Sequence, residues 1–149
     1  MNPAEVFNHL SATGSMVFFA VVAVFFVANL LYYRTLQRAM KTVSPELRPF
    51  PPALVWLALV PLIGLFWYMA YIVWLSVGLR RELRKRTLPG DGALFLSVIT
   101  AALFLLCLVP YGNAAALAAL PALGCWTLHW VRMATLARQL SEPDYLLVD

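Results

Sequence analysis

Charge is scarce in this 149-residue sequence: only 12% of its residues are Asp, Glu, Lys or Arg, about half the share of a soluble globular domain. Acids are the scarcer sign, seven against eleven bases, and histidine occurs only as His9 and His129. Zinc takes three or four protein ligands, so no metal is expected, and two histidines make no case for a haem. The acids fall in loops, and Ser and His are too few to suggest a nucleophile, base and orienting group. The chain is therefore expected to be no enzyme and to carry no cofactor. The two cysteines, Cys107 and Cys125, lie on either side of a turn at residues 111–113. At 1.5 Å per helical residue their depths differ by roughly 14 Å, too far for a disulfide. The first fourteen residues hold no Lys or Arg, so no cleaved signal peptide is expected. Net charge is +4, but no basic-aromatic binding module is visible, and a nucleic-acid partner is not expected.

What the sequence has in abundance is apolar residues, 62% of the chain with a mean hydropathy of +0.79. They fall in long blocks, the pattern of transmembrane helices. The expected fold is all-α: an integral membrane four-helix bundle forming one domain over residues 1–149. Its helices are expected at about 15–33, 53–78, 93–110 and 113–132. A short polar arm, residues 1–14, precedes the first helix, which has no breaker after Tyr33 and should run on past Lys41. Arg34, Arg38 and Lys41 then share one face, at spacings of four and three. The fourth helix should likewise continue to about Leu140.

Between the first two blocks lies a stiff elbow, "SPELRPFPP", residues 44–52. Ser44 before Pro45 and Glu46 has the form of a helix start, with a capping side chain and an acid at the positive end. Arg48 and Phe50 each precede a proline, which disfavours α geometry there. Any helix in the elbow is therefore short, and Pro52 is placed as the first residue of the second membrane helix. Pro61 should kink that helix. Glu46 and Arg48 are expected to pair with each other or with the basic run at residues 80–86.

Trp56 and Trp74 would lie roughly 27 Å apart on one continuous helix, which suits a pair of interfacial aromatic belts and a full crossing. Four crossings place both termini on one side. With the ends cytoplasmic, seven basic residues lie inside and four outside, which favours that orientation. The first helix alone argues the opposite, because its basic residues all follow it. A re-entrant second block would put all eleven bases inside.

Candidate interfacial or partner-binding residues are Glu46, Arg48, Arg81, Glu82, Lys85, His129 and Arg132. Pro52, Trp56, Pro61, Trp67 and Trp74 are structural candidates. Ser97 and Thr100 are candidate pore-lining or helix-contact residues, since no charge lies deep in the first three blocks. Ala114, Ala118 and Ala122 recur every fourth residue, a stripe suited either to packing on the third helix or to an oligomer seam.

Residues 44–82 carry Pro45-Glu46-Leu47-Arg48, Pro52, Val55-Trp56-Leu57, Pro61, Trp67, Ser76 and Glu82. This run resembles a family of uncharacterised bacterial four-helix integral membrane proteins. That family usually has glycine at the position of Ala53 and often asparagine near Gly64. The resemblance implies a multi-pass protein of the bacterial inner membrane and brings no activity with it. The expected function is a non-catalytic membrane scaffold or accessory subunit, docking another membrane protein or itself and touching anionic lipid headgroups through its basic residues. The alternative is a homo-oligomeric channel or small-solute pore.

Overall fold

The first helix, α1 (Pro3–Thr42), starts where the sequence suggested a polar arm. Proline is pre-shaped for a first helical turn, and nothing between Pro3 and Gly14 breaks the helix. Gly14 costs it about 1 kcal/mol and does not stop it. The structure is a computed structural model and describes residues 3–61, 63–109 and 114–141. Every regular element among them is helical.

The chain divides into two units, one up to Tyr32 and one from Tyr33 onward. In the first, residues 13–27 are exposed on every face, including Phe18, Phe19, Phe25 and Phe26. Within the second, Tyr33, Leu36, Ala39, Met40 and Val43 are buried at three- and four-residue spacing, one apolar stripe of an amphipathic helix. Arg34 and Arg38 point the other way and are exposed.

The elbow follows. Pro45–Leu47 is a single 3₁₀ turn, and Arg48 after it is extended. Ser44 makes no capping bond to that turn, so it is not the helix-start cap the sequence suggested. Pro52 does open a helical segment, but a 3₁₀ one, Pro52–Leu59. It ends at Val60, extended at φ −74° and ψ 123°, because the residue before a proline resists α geometry. Helix α2 (Ile63–Lys85) starts beyond Pro61. One kinked helix over 53–78 is therefore not what forms.

The two pieces instead fold back on each other. The Trp67 indole N–H donates to the Leu54 carbonyl at 2.7 Å. The Phe50 ring lies 5.4, 6.2 and 6.3 Å from those of Trp67, Tyr71 and Trp74. At the turn, Gly64 comes so close to the Ala58 carbonyl that a Cβ would collide with it. At the other end, Pro49 covers Gly78. Residues 49–58 thus run antiparallel along α2. The Trp56 and Trp74 belt spacing fails for this reason, since no continuous helix joins them.

A turn through Gly90, Gly92 and Ala93, all at positive φ, leads to α3 (Leu94–Cys107). Any side chain at Gly92 would strike the Arg80 backbone nitrogen and the Ser76 carbonyl. Helix α4 (Ala114–Ser141) carries Pro121 in its interior. The link 111–113 and the tail beyond Ser141 fall outside the described residues. Helix α3 packs on both α2 and α4.

The core of the second unit gathers at the elbow end. Tyr71, Ile72, Leu75, Leu79 and Leu83 of α2 are buried there, as are the apolar stripe of α1 and Met133, Leu136 and Leu140 of α4. Large apolar residues at the far end are exposed instead, among them Leu57, Ile63, Phe66, Leu105, Leu117 and Leu120. By length and composition two helices are able to cross a membrane, Thr13–Thr42 and Ile63–Lys85. None of the most apolar window of the first is buried, against 50% for the second.

Candidate functional site: a buried carboxylate clamp at the elbow

Glu82 is 1% exposed, on the core face of α2 one turn before the helix ends. Its Oε2 accepts the Ser44 backbone N–H at 2.9 Å, and its Oε1 accepts the Ser44 hydroxyl at 3.1 Å. Arg86, one turn on, donates from Nε to Oε1 at 2.9 Å and from its terminal nitrogen to the Leu140 carbonyl at 3.0 Å. One carboxylate therefore ties the elbow to α2, and its arginine partner carries the tie to the end of α4. A buried carboxylate demands such company, because desolvation penalises the charge unless it is paired and hydrogen-bonded.

A second, exposed ion pair flanks the first. Lys85 Nζ lies 2.6 Å from Glu46 Oε1 and donates to the Ser44 hydroxyl at 3.2 Å. That hydrogen bond from Lys85 holds the Glu46 carboxyl below its ordinary pKa. Arg48 is not a partner of Glu46. Its guanidinium donates to the carbonyls of Val43 at 2.7 Å and Lys41 at 2.8 Å. It thereby satisfies carbonyls that the end of α1 leaves open.

The other sequence candidates scatter. Arg81 is exposed, and Arg132 lines a shallow surface cavity with Asp91 and Thr135. Trp56 stacks edge-on to Tyr33 at 6.4 Å, Pro61 is exposed, and Trp74 is 49% exposed. Ala118 and Ala122 are buried within the chain's own fold, at 4% and 3% exposure. The Ala114 side chain lies outside the described residues.

His129 does not face outward. It is fully buried, with Nε2 2.7 Å from the Ser97 hydroxyl, which is 2.6 Å from that of Ser76. Ser97 also donates to the Ala93 carbonyl at 3.0 Å. One arrangement satisfies the set: Ser97 donates to Ala93 and accepts from Ser76 and from a protonated Nε2. A serine–histidine contact that the sequence did not suggest thus exists, joining α2, α3 and α4. All three side chains have no exposure. Thr100, equally buried, donates to the Leu96 carbonyl at 2.7 Å.

Ser44, Arg86 and Phe50 are the functional residues that sequence reasoning missed as such. Each has a signal only in hindsight: a serine next to a proline elbow, a base four residues after Glu82, and an aromatic between two prolines. In comparisons with known proteins, no family model, curated protein or solved structure matches the chain.

Proposed function

We propose that this chain is an integral membrane protein acting as a non-catalytic docking subunit. It presents the apolar stretch of α1, residues 13–27, to a partner's membrane helix or to a second copy. The observation that carries the reading is that stretch itself: fifteen consecutive residues with every apolar side chain exposed, on a helix whose last part buries only one face. A surface of that extent belongs in lipid or against another helix. The chemistry within the fold supports a scaffold. The carboxylate clamp and the Ser76–Ser97–His129 set face the chain's own interior. A pore finds little support, because Ser97 and Thr100 turn their hydroxyls to partners in their own helices and neighbours.

The membrane topology we favour follows from the hairpin. Residues 49–58 and α2 form a re-entrant loop that returns to the side it entered from. All eleven basic residues, from Arg34 to Arg138, then lie on the cytoplasmic side, the strongest bias the positive-inside rule allows here. Removing one crossing from the four leaves three, so the chain's two ends lie on opposite sides and the C-terminal end is cytoplasmic.

Two measurements test this. In a Cys107→Ser/Cys125→Ser background, Pro61→Cys in intact cells should resist a membrane-impermeant maleimide, as should Glu46→Cys until the membrane is opened. Labelling of Pro61→Cys in intact cells would restore the full crossing. Native mass in mild detergent should give a closed oligomer or a protomer with a second protein. A bare monomer that keeps its fold and its carbonate-resistant membrane association would remove the docking role.

A further inference from the structure

A cavity of about 410 Å³ opens between the end of α1 and the end of α4, within the size range of small-ligand sites. Its rim carries two arginines, Arg38 and Arg138, and its walls carry the hydroxyl residues Thr35, Thr42 and Ser141. Ala134 and Ala137 line it with short side chains, which keeps it open.

Three of the bases around the elbow are already held by partners. Arg86 and Lys85 have carboxylate partners, and Arg48 has backbone carbonyls. Arg38 and Arg138 share a cavity that no carboxylate among the described residues lines. Two like charges at one opening repel each other unless an anion sits between them. A guanidinium presents a planar fork of donors that matches phosphate oxygens. The level is also apt. The Trp130 indole donates to the Thr35 hydroxyl at 3.0 Å, and tryptophan marks the membrane interface. Arg38 lies about 4.5 Å beyond Thr35 along its helix, and Arg138 about 12 Å beyond Trp130, the depth of headgroups.

We infer that this cavity binds a phosphate group between Arg38 and Arg138, carried by an anionic phospholipid headgroup or by a free phosphate. The lipid source rests on the membrane reading above, and the free source does not, so the two fail separately. The test uses the full chain purified in mild detergent. Its apparent melting temperature is followed as phosphatidylglycerol, phosphatidylcholine or inorganic phosphate is added. The wild type should respond to phosphatidylglycerol and not to phosphatidylcholine if the source is lipid, and to inorganic phosphate if it is free. In Arg38→Gln/Arg138→Gln the same response should need about tenfold more ligand or more. Arg34→Gln, an exposed base outside the cavity, should behave as wild type. Ala137→Leu, which narrows the cavity and leaves both charges, should weaken the response as well. The inference is overturned if neither anion acts on the wild type. It is equally overturned if the double variant responds normally, or if Arg34→Gln loses the response to the same extent.

Discussion

Residues 13–27 and residues 33–42 belong to one helix and stand in opposite relations to their surroundings. The earlier stretch is almost wholly apolar and covered on no face. The later one alternates buried Tyr33, Leu36 and Met40 with exposed Arg34 and Arg38. The same contrast recurs along the second unit, where the elbow end is packed and cross-bonded and the far end shows large apolar side chains to the outside. An all-round apolar helix needs an apolar medium, whereas an amphipathic one needs a partner from its own chain. Burial at the elbow end is thus intramolecular, whereas elsewhere the chain leaves its apolar side chains uncovered.

Substitutions should separate these regions sharply. The largest effect is expected at the clamp. Glu82→Leu leaves the Ser44 N–H and the Arg86 guanidinium without their acceptor, a loss of about 3–5 kcal/mol, read as a lowered melting temperature in detergent. If Glu82→Leu melts like wild type, the elbow end is not held by its carboxylate. Next comes the hairpin turn. Gly64→Ala puts a methyl group into the Ala58 carbonyl and should cost about 3 kcal/mol. It should also expose position 61 to the impermeant maleimide as the hairpin opens. Trp67→Phe keeps an aromatic ring but loses the indole hydrogen bond and part of the indole's packing, about 1–2 kcal/mol. At residues 13–27 the expectation reverses. Phe18→Ala/Phe25→Ala should leave the stability of the isolated chain within about 0.5 kcal/mol of wild type while changing its native mass. An unchanged assembly would place the docking face elsewhere.

The smallest effect is a pH dependence from Glu46. Its carboxyl is held low by Lys85 in the folded chain. A group whose pKa falls on folding contributes stability above its unfolded value and loses that contribution as pH falls through the folded one. Wild type and Glu46→Gln should therefore differ slightly at neutral pH and converge below about pH 4. The pair is solvent-exposed, so the gap is small. A gap that widens in acid would contradict the pairing.

Much of the helical architecture was legible in the sequence, because helices answer to local rules. The run of α1 past Lys41, the short elbow turn at Pro45, the start at Pro52 and the continuation of α4 to Ser141 all follow from breakers and their absence. The hairpin was not legible in the same way. Trp56 and Trp74 have a spacing that fits a spanning helix, and Pro61 fits a kink as well as a break. Only the contacts of Trp67 with Leu54, of Phe50 with Trp74 and of Gly64 with Ala58 distinguish them. The candidate site divides along the same line. Glu82 and Lys85 were visible as charges beside an apolar block, and Glu46 pairing with the basic run was one of the open possibilities. The Ser97–His129 contact, 32 residues apart in sequence, left no local trace.

What the sequence by itself determined is the all-α class, the placing of its apolar blocks and the concentration of bases after them, since propensity, proline and hydropathy act over a few neighbouring residues. What only the tertiary structure decided is which way the chain runs after Pro52, which acid is buried and what answers its charge. Those depend on groups from separate helices meeting where water is excluded, and an unpaired polar atom there is too costly to leave.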